Sequence, residues 1–304
     1  MKHVAVVIVH FRHVDETVSC LRALDQSFLP NIELQTIVVD NGGSSEAEKE
    51  IKPAFPTIHV IEQSSNTGFS GGNNAGIDWA LKNGYEYIFI LNNDTIIHKD
   101  TIQNLASALS DHASWGIAAP KIYFSVGREF HHDRYKPSER GKVIWYAGGV
   151  VNWNTISGSH RGVDLVDNGQ FDIESETDFA SGCAMMVRRE VFKSIGIFDE
   201  RFFLYYEDLD FSIRARHAGF TIGFYPKACM WHKNAASSES GSHLQDYYIS
   251  RNRLLFGYRW APFRSKLFLC KESLSIFLNG RYWQKRGVRD YYLGNLGKGS
   301  YDAK

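Results

Sequence analysis

Over the first third of the chain, short apolar, β-branched runs alternate with stretches whose apolar residues recur at helical spacing. Residues 4–9, 36–39, 59–62 and 87–91 read as strands, whereas residues 15–27, 72–83 and 99–110 carry the 3.6-residue repeat of helices. This alternation predicts an α/β fold with a mainly parallel sheet covered on both faces. In such sheets ligands gather at the C-terminal ends of the strands. Residues 123–173 are rich in Gly, His, Trp and Asn with weak periodicity, and predict loops and short antiparallel strands. Regular patterning returns with strands over 183–187 and 222–225 and helices over 189–195 and 209–218. From Ser242 onward the pattern is helical, so the expected division is a sheet-based domain over 1–240 and a helical segment over 241–304.

The 304 residues, 43% of them hydrophobic, suffice for one large core with a smaller unit attached. The net charge of zero conceals a sorting by region: residues 251–304 carry 12 Lys and Arg against 3 Asp and Glu. That basic end also holds Phe256, Tyr258, Trp260, Phe263, Phe268, Phe277, Tyr282 and Trp283, and aromatic plus basic residues suit the headgroup layer of a membrane. Any such contact would be peripheral, because no stretch reaches the roughly 18 apolar residues that crossing a bilayer needs. No nucleic-acid partner is expected. Cys20, Cys183, Cys229 and Cys270 form no CxxC pair, which argues against zinc and against a disulfide framework and fits the cytoplasm. The apolar opening is followed at once by Arg12, His13, Asp15 and Glu16, and reads as a buried strand rather than a leader.

Four polar clusters follow predicted strands or open a predicted helix: Asp40-Asn41-Gly42, residues 66–74, Asn92-Asn93-Asp94-Thr95, and Glu207-Asp208-Leu209-Asp210. Each taken alone is what turns and helix caps use. In the second, Asn66-Thr67-Gly68-Phe69-Ser70-Gly71-Gly72-Asn73-Asn74, small residues would let backbone N–H groups approach a phosphate at a helix start. Its glycine spacing departs from the G-x-G-x-x-G of dinucleotide folds, and it lacks the G-K-[ST] ending of a P-loop. Asn92 and Asp94 alternate beyond a strand and would point two oxygens in one direction. That suits Mg2+ or Mn2+, which commonly complete their shells with substrate phosphates and water.

Together these segments resemble the inverting family 2 glycosyltransferases, and within them the bacterial rhamnosyltransferases; the likeness spans about residues 4–235. The resemblance implies a GT-A fold. It implies that Asp40, with Asn41, reads the nucleotide base, and that Asn66, Gly68, Phe69, Gly71, Gly72, Asn73 and Asn74 lie near the ribose and diphosphate. Asp94 would bind the metal with Asn92, which stands where the family's DxD has its first carboxylate, so one anionic ligand is lost and a carbonyl oxygen remains. His232 would complete the metal or diphosphate site. Asp208 matches the general base of the family's E-D-x-[DE] motif, while Ser181, Gly182, Glu207 and Asp210 would line the acceptor side. The implied reaction moves L-rhamnose from dTDP-rhamnose to a glycan or lipid-linked glycan of the cell surface, as in O-antigen synthesis, at the inner face of the membrane. A UDP-hexose (galactose, galactofuranose or glucose) is the alternative donor, and a non-catalytic nucleotide-sugar-binding subunit is the alternative of another class. A sugar-nucleotide pyrophosphorylase would show a basic Gly-rich loop after the first strand, where this chain has His10-Phe11-Arg12-His13.

Overall fold

The computed structural model describes residues 1–233 and 242–301, so the division expected near residue 240 lies outside the described residues. In chain order the strands are β1 (Lys2–His10), β2 (Ile32–Asp40), β3 (His59–Glu62), β4 (Tyr87–Leu91), β5 (Thr95–Ile97), β6 (Trp115–Phe124), β7 (Ile144–Tyr146), β8 (Gly149–Asn152), β9 (Ser157–His160), β10 (Ser175–Glu176), β11 (Ala184–Arg188) and β12 (Thr221–His232). The main helices are α1 (Val14–Asp25), α2 (Gly68–Lys82), α3 (Thr101–Asp111), α4 (Arg189–Ile195), α5 (Glu207–His217), α6 (His243–Trp260), α7 (Phe263–Asn279) and α8 (Tyr282–Tyr292).

One sheet runs β3-β2-β1-β4-β11-β6-β12-β10, with β5 on β12 and β7 on β6. Strands β3, β2, β1 and β4 are mutually parallel, and β6 and β12 are parallel to each other; β11 runs against both of its neighbours, β4 and β6. As a result the ends of β1, β2, β4, β6 and β12 and the beginning of β11 share one edge. Strands β8 and β9 form a separate antiparallel hairpin within the predicted irregular region.

The ten-residue strand β6 sits in the middle of the sheet and was not apparent from pattern, because it contains Pro120. Proline has no N–H for the ladder. The structure accommodates it opposite a bulge: the register passes from Tyr225↔Pro120 to Cys229↔Lys121, so that Pro226, Lys227 and Ala228 are looped past it. Buried Lys121 then bonds Asp167 at 2.8 Å and Asp172 at 2.5 Å, which ties the irregular region to the sheet.

Helix α2 packs unusually close to the sheet. A Cβ on Gly76 would stand 2.4 Å from Val7 Cγ1, and one on Gly72 would stand 2.9 Å from Val9 Cγ1. A second core, including Ile156, Phe179, Leu209, Leu254 and Phe256, joins the β8–β9 hairpin and α5 to helices α6–α8. The basic, aromatic end is therefore partly interior: Phe256 and Arg251 are fully buried, and Arg259 pairs with Asp199 and Asp210.

Candidate active site

The shared edge collects the expected clusters because of strand register. Strands β1 and β2 finish in step, His10 beside Asp40. The antiparallel pairing of β5 with β12 sets His232 against Thr95, which brings the His232 ring to buried Asp94, Nε2 to Oδ2 at 3.1 Å. Antiparallel β11 begins where β4 ends, and the Asn92 N–H donates to the Cys183 carbonyl at 2.9 Å. One residue back, the Gly182 N–H donates to Asp208 Oδ2 at 3.0 Å. Hence three consecutive peptide units, 181–183, connect the Asn92/Asp94 turn to Asp208.

Asp208 is half-buried in the first turn of α5, and its other oxygen accepts from the Leu209 N–H at 2.8 Å. Burial raises its pKa while these two N–H groups pull it back, and the net direction is upward. Neighbouring Glu207 is buried, and its Oε2 has no hydrogen-bond partner among the described residues. Burial, and then the charge of Asp208, push Glu207 well above its ordinary 4.5. The pair thus ionises first at Asp208, leaving one carboxylate with an acid beside it. For His232, burial disfavours the imidazolium, yet the hydrogen-bonded Asp94 carboxylate favours it and the pKa is raised. Burial also pushes the Cys183 thiol up and keeps it neutral, so Asp94 is the anion that counts.

The chain reaches Glu207 through Phe203, Tyr205 and Tyr206, all left-handed at φ 64°, 68° and 73°. Such a cluster of non-glycine residues is costly and needs support. Support comes from α6: the Asn252 side-chain amide donates to the carbonyls of Phe202, Leu204 and Tyr205 at 2.8 Å each, and buried Arg251 donates to Phe202 at 2.9 Å.

Of the residues expected on the donor side, Asp40 is 1% exposed and accepts from the N–H groups of Gly42 at 3.2 Å and Ala47 at 3.0 Å, so it shapes the loop after β2. Buried Asn41 accepts from the Thr67 N–H at 3.0 Å and donates to the Gly68 carbonyl at 2.9 Å, and the Asn66 side chain accepts from the Gly68 N–H at 2.8 Å. The helix begins at Gly68, four residues before the expected start, so Gly71, Gly72, Asn73 and Asn74 are buried helix residues rather than loop. Gly72 is small because Val9 lies beneath it, and Gly68 because a Cβ would meet the Phe203 carbonyl at 2.4 Å. Asn73 bonds the Phe69 carbonyl in its own helix; Asn74 bridges to Phe198 and Glu200. Phe69 stands over Gly182, where a Cβ would come within 2.9 Å of its ring.

Asp210, expected on the acceptor side, is corrected by the structure. It is fully buried and takes donors from Arg214 at 2.8 Å, Arg259 at 2.6 Å and Trp260 at 2.9 Å, so it fastens α5 to the end of α6. Ser181 bonds the Cys183 N–H at 3.2 Å and holds the turn into β11. Sequence reasoning passed over Asn252 and Arg251, and weighed sugar stacking against core packing for Trp145 without assigning it to the site. Trp145 packs edge-on against His232 at 4.6 Å and against His160 at 4.3 Å, whose pKa burial lowers to about 4. Arg251 and Asn252 lie within the polar run Ser250–Arg253, which carries no local signal of burial. A cavity of about 360 Å3 bordered by Arg161, Asp178 and Arg216 opens at the start of β12, the far end from His232, and is not part of this site.

As a metal site the edge offers Asp94, His232 and the half-buried Asn92, and among the described residues no group of three or more His, Cys, Asp or Glu forms a preassembled cage. An anionic oxygen and an imidazole nitrogen meeting at 3.1 Å fit a divalent cation whose remaining ligands come from a diphosphate and water.

Comparison with known proteins bears on the family and the fold. The family model described as glycosyl transferase family 2 matches residues 5–196, and one described as glycosyl transferase family group 2 matches residues 140–288. The low-salt glycan biosynthesis hexosyltransferase Agl10 of Haloferax volcanii is 30% identical over 221 residues, 72% of this chain and 66% of that protein, slightly under two thirds of its length. An N-acetylglucosaminyl-diphospho-decaprenol L-rhamnosyltransferase of Mycobacterium tuberculosis is 25% identical over 246 residues, 74% of this chain and 77% of that one. In fold, the crystal structure of GalNAc-T7 with UDP, GalNAc and Mn2+ superposes with a TM-score of 0.60 at 13% identity, covering 92% of this chain and 58% of that one.

Proposed function

The chain belongs to glycosyl transferase family 2, and from that premise we propose that it transfers L-rhamnose from dTDP-rhamnose, with inversion, to a glycan on a lipid carrier. The observation that carries the reading is the Asp208 carboxylate, half-buried, aligned by the Gly182 and Leu209 N–H groups, and linked through residues 181–183 to the turn bearing Asp94. In the proposed step the acceptor hydroxyl oxygen bonds to the anomeric carbon while Asp208 takes its proton. The bond from that carbon to the diphosphate oxygen breaks, and its electron pair leaves with the diphosphate. Raised by burial, Asp208 is a stronger base than a free carboxylate. A Mg2+ or Mn2+ ion held by Asp94, Asn92 and His232 would supply neutralisation of the leaving diphosphate. Asp40 and Asn41 shape the loops that receive the nucleotide, and Phe69 and Gly182 close the wall between donor and acceptor.

Rhamnose is favoured because one relative matched over most of both chains is named a rhamnosyltransferase, and the acceptor in that name is a sugar on a decaprenyl diphosphate. A UDP-hexose is the second reading, favoured by relatives named hexosyltransferase and galactofuranosyltransferase. Either donor fits a chain that works in the cytoplasm, at the inner face of the membrane, in cell-surface polysaccharide synthesis.

Titration of dTDP-rhamnose, UDP-galactose and UDP-glucose into the protein by calorimetry, with manganese and again with chelator, tests the donor. Metal-dependent binding of dTDP-rhamnose alone is expected. Binding only of a UDP-sugar would replace the donor, and metal-independent binding would overturn the role of Asp94.

A further inference from the structure

Helix α7 is turned inside out. Its inner face presents Ser265, Leu269 and Ser273, two of the three being small and polar, whereas its outer face carries Phe263, Leu267, Leu274, Phe277 and Leu278, each between 51% and 74% exposed. Their spacing of four, seven, three and one places all five within one stripe of about 100°, running for some 22 Å at 1.5 Å per residue. An exposed stripe of this size on an otherwise well-packed protein marks a surface that meets something apolar.

Charge identifies the partner. Lys266 borders the stripe on one side, and Lys271 and Arg264 border it on the other. The one acid of the helix, Glu272, lies away from the stripe and pairs with Arg253 at 2.8 Å. A second copy of the chain laid against this stripe would bring lysine and arginine rims together without an anion between them. A bilayer surface containing anionic lipids supplies what both parts need, acyl chains beneath the stripe and negative headgroups along its rims. Tyr282, 64% exposed just beyond the end of α7, adds a side chain suited to that layer. No described helix is long and apolar enough to cross a membrane, so the contact is in the plane of the surface.

We propose that the outer face of α7 is a lipid-binding surface that seats the protein on an anionic bilayer. This rests on the lipid-linked acceptor reading for its purpose but not for its physical basis, and the experiment separates the two. The intact chain would be floated with vesicles of phosphatidylcholine alone or with phosphatidylglycerol added, beside the L274E/F277E variant and the K266Q/K271Q variant. Wild type is expected to float with the anionic vesicles. L274E/F277E is expected to bind at least tenfold more weakly with an unchanged melting temperature, and K266Q/K271Q to lose the preference for anionic lipid. Equal flotation of wild type and L274E/F277E overturns the proposal. So does the absence of flotation, including the case where wild type instead forms a dimer that L274E/F277E breaks. Should L274E/F277E fail to fold, K266Q/K271Q decides alone, and unchanged lipid preference in it counts against the proposal. Transfer to a water-soluble acceptor is expected to be equal in all three proteins. Flotation without transfer to any lipid-linked acceptor would sink the acceptor reading and leave the surface standing.

Discussion

The Gly182 N–H reaches Asp208 Oδ2 over 3.0 Å, and the space above Gly182 is already filled by the Phe69 ring. Backbone, aromatic ring and carboxylate therefore fix one another. Gly182→Ala places a methyl 2.9 Å from Phe69 Cζ and 3.5 Å from Asp208 Cβ. Since a misplacement near 1 Å can cost about 100-fold in rate, kcat is expected to fall by roughly ten- to a hundredfold while the melting temperature moves little. A loss of folding equal to the loss of rate would show that the glycine is needed only for packing.

Asp208→Asn keeps an oxygen for one N–H and removes the base. Turnover should drop by about 10²–10⁴-fold, with calorimetric donor affinity unchanged. Asp94→Ala should show the opposite distribution, weakening metal-dependent donor binding. Equal losses of donor affinity in the two variants would cancel the division of roles.

Glu207 gives stability a pH slope of known sign. Its pKa is raised in the folded state, so the folded protein holds a proton that the unfolded chain releases as pH climbs past 4.5. Stability from this group is complete below that value and is lost as pH rises toward the folded pKa. Glu207→Gln removes the slope, and the melting temperature of the variant minus that of wild type should increase from pH 4.5 to pH 8. A difference independent of pH would mean that Glu207 is ionised in the folded protein.

Buried Asp210 holds two half-buried arginines. Asp210→Ala leaves Arg214 and Arg259 without that carboxylate, and breaking a buried pair of this kind costs about 3–5 kcal/mol. Chemical denaturation should show that loss, and a variant of wild-type stability with lowered activity would return Asp210 to the acceptor side.

Strands such as His59–Glu62 and Tyr87–Leu91 and the helix Arg189–Ile195 were legible to the residue, because local period and burial agree there. Strand β6 was hidden by Pro120, whose missing donor is excused only by a bulge in β12, a hundred residues on. The start of α2 was read four residues late because glycines suggest loops; here they let a helix lie against Val7 and Val9. At the candidate site, Asp94, Asp208 and His232 were singled out through the family resemblance, and the structure places them in the β4–β5 turn, in the first turn of α5 and at the end of β12. Asp210 could not be separated from Asp208, since two positions along a first turn face opposite ways and only the distant Arg259 and Trp260 reveal which faces inward. Asn252 was invisible for the same reason, its partners being carbonyls nearly fifty residues away.

That last separation bears on how the protein is made. The residues expected near the nucleotide are synthesised first, yet Gly68 packs on Phe203 and Asn74 on Phe198 and Glu200, and His232 follows before α6. The left-handed approach to Asp208, however, is held by Arg251 and Asn252, and Arg251 is itself seated by the Gly297 carbonyl. During synthesis the approach to Asp208 therefore stays unsupported until α6 and the residues beyond α8 have emerged. The carboxylate proposed as the base is thus among the last groups to be held in place, and a chain ending before Gly297 would carry it without its alignment.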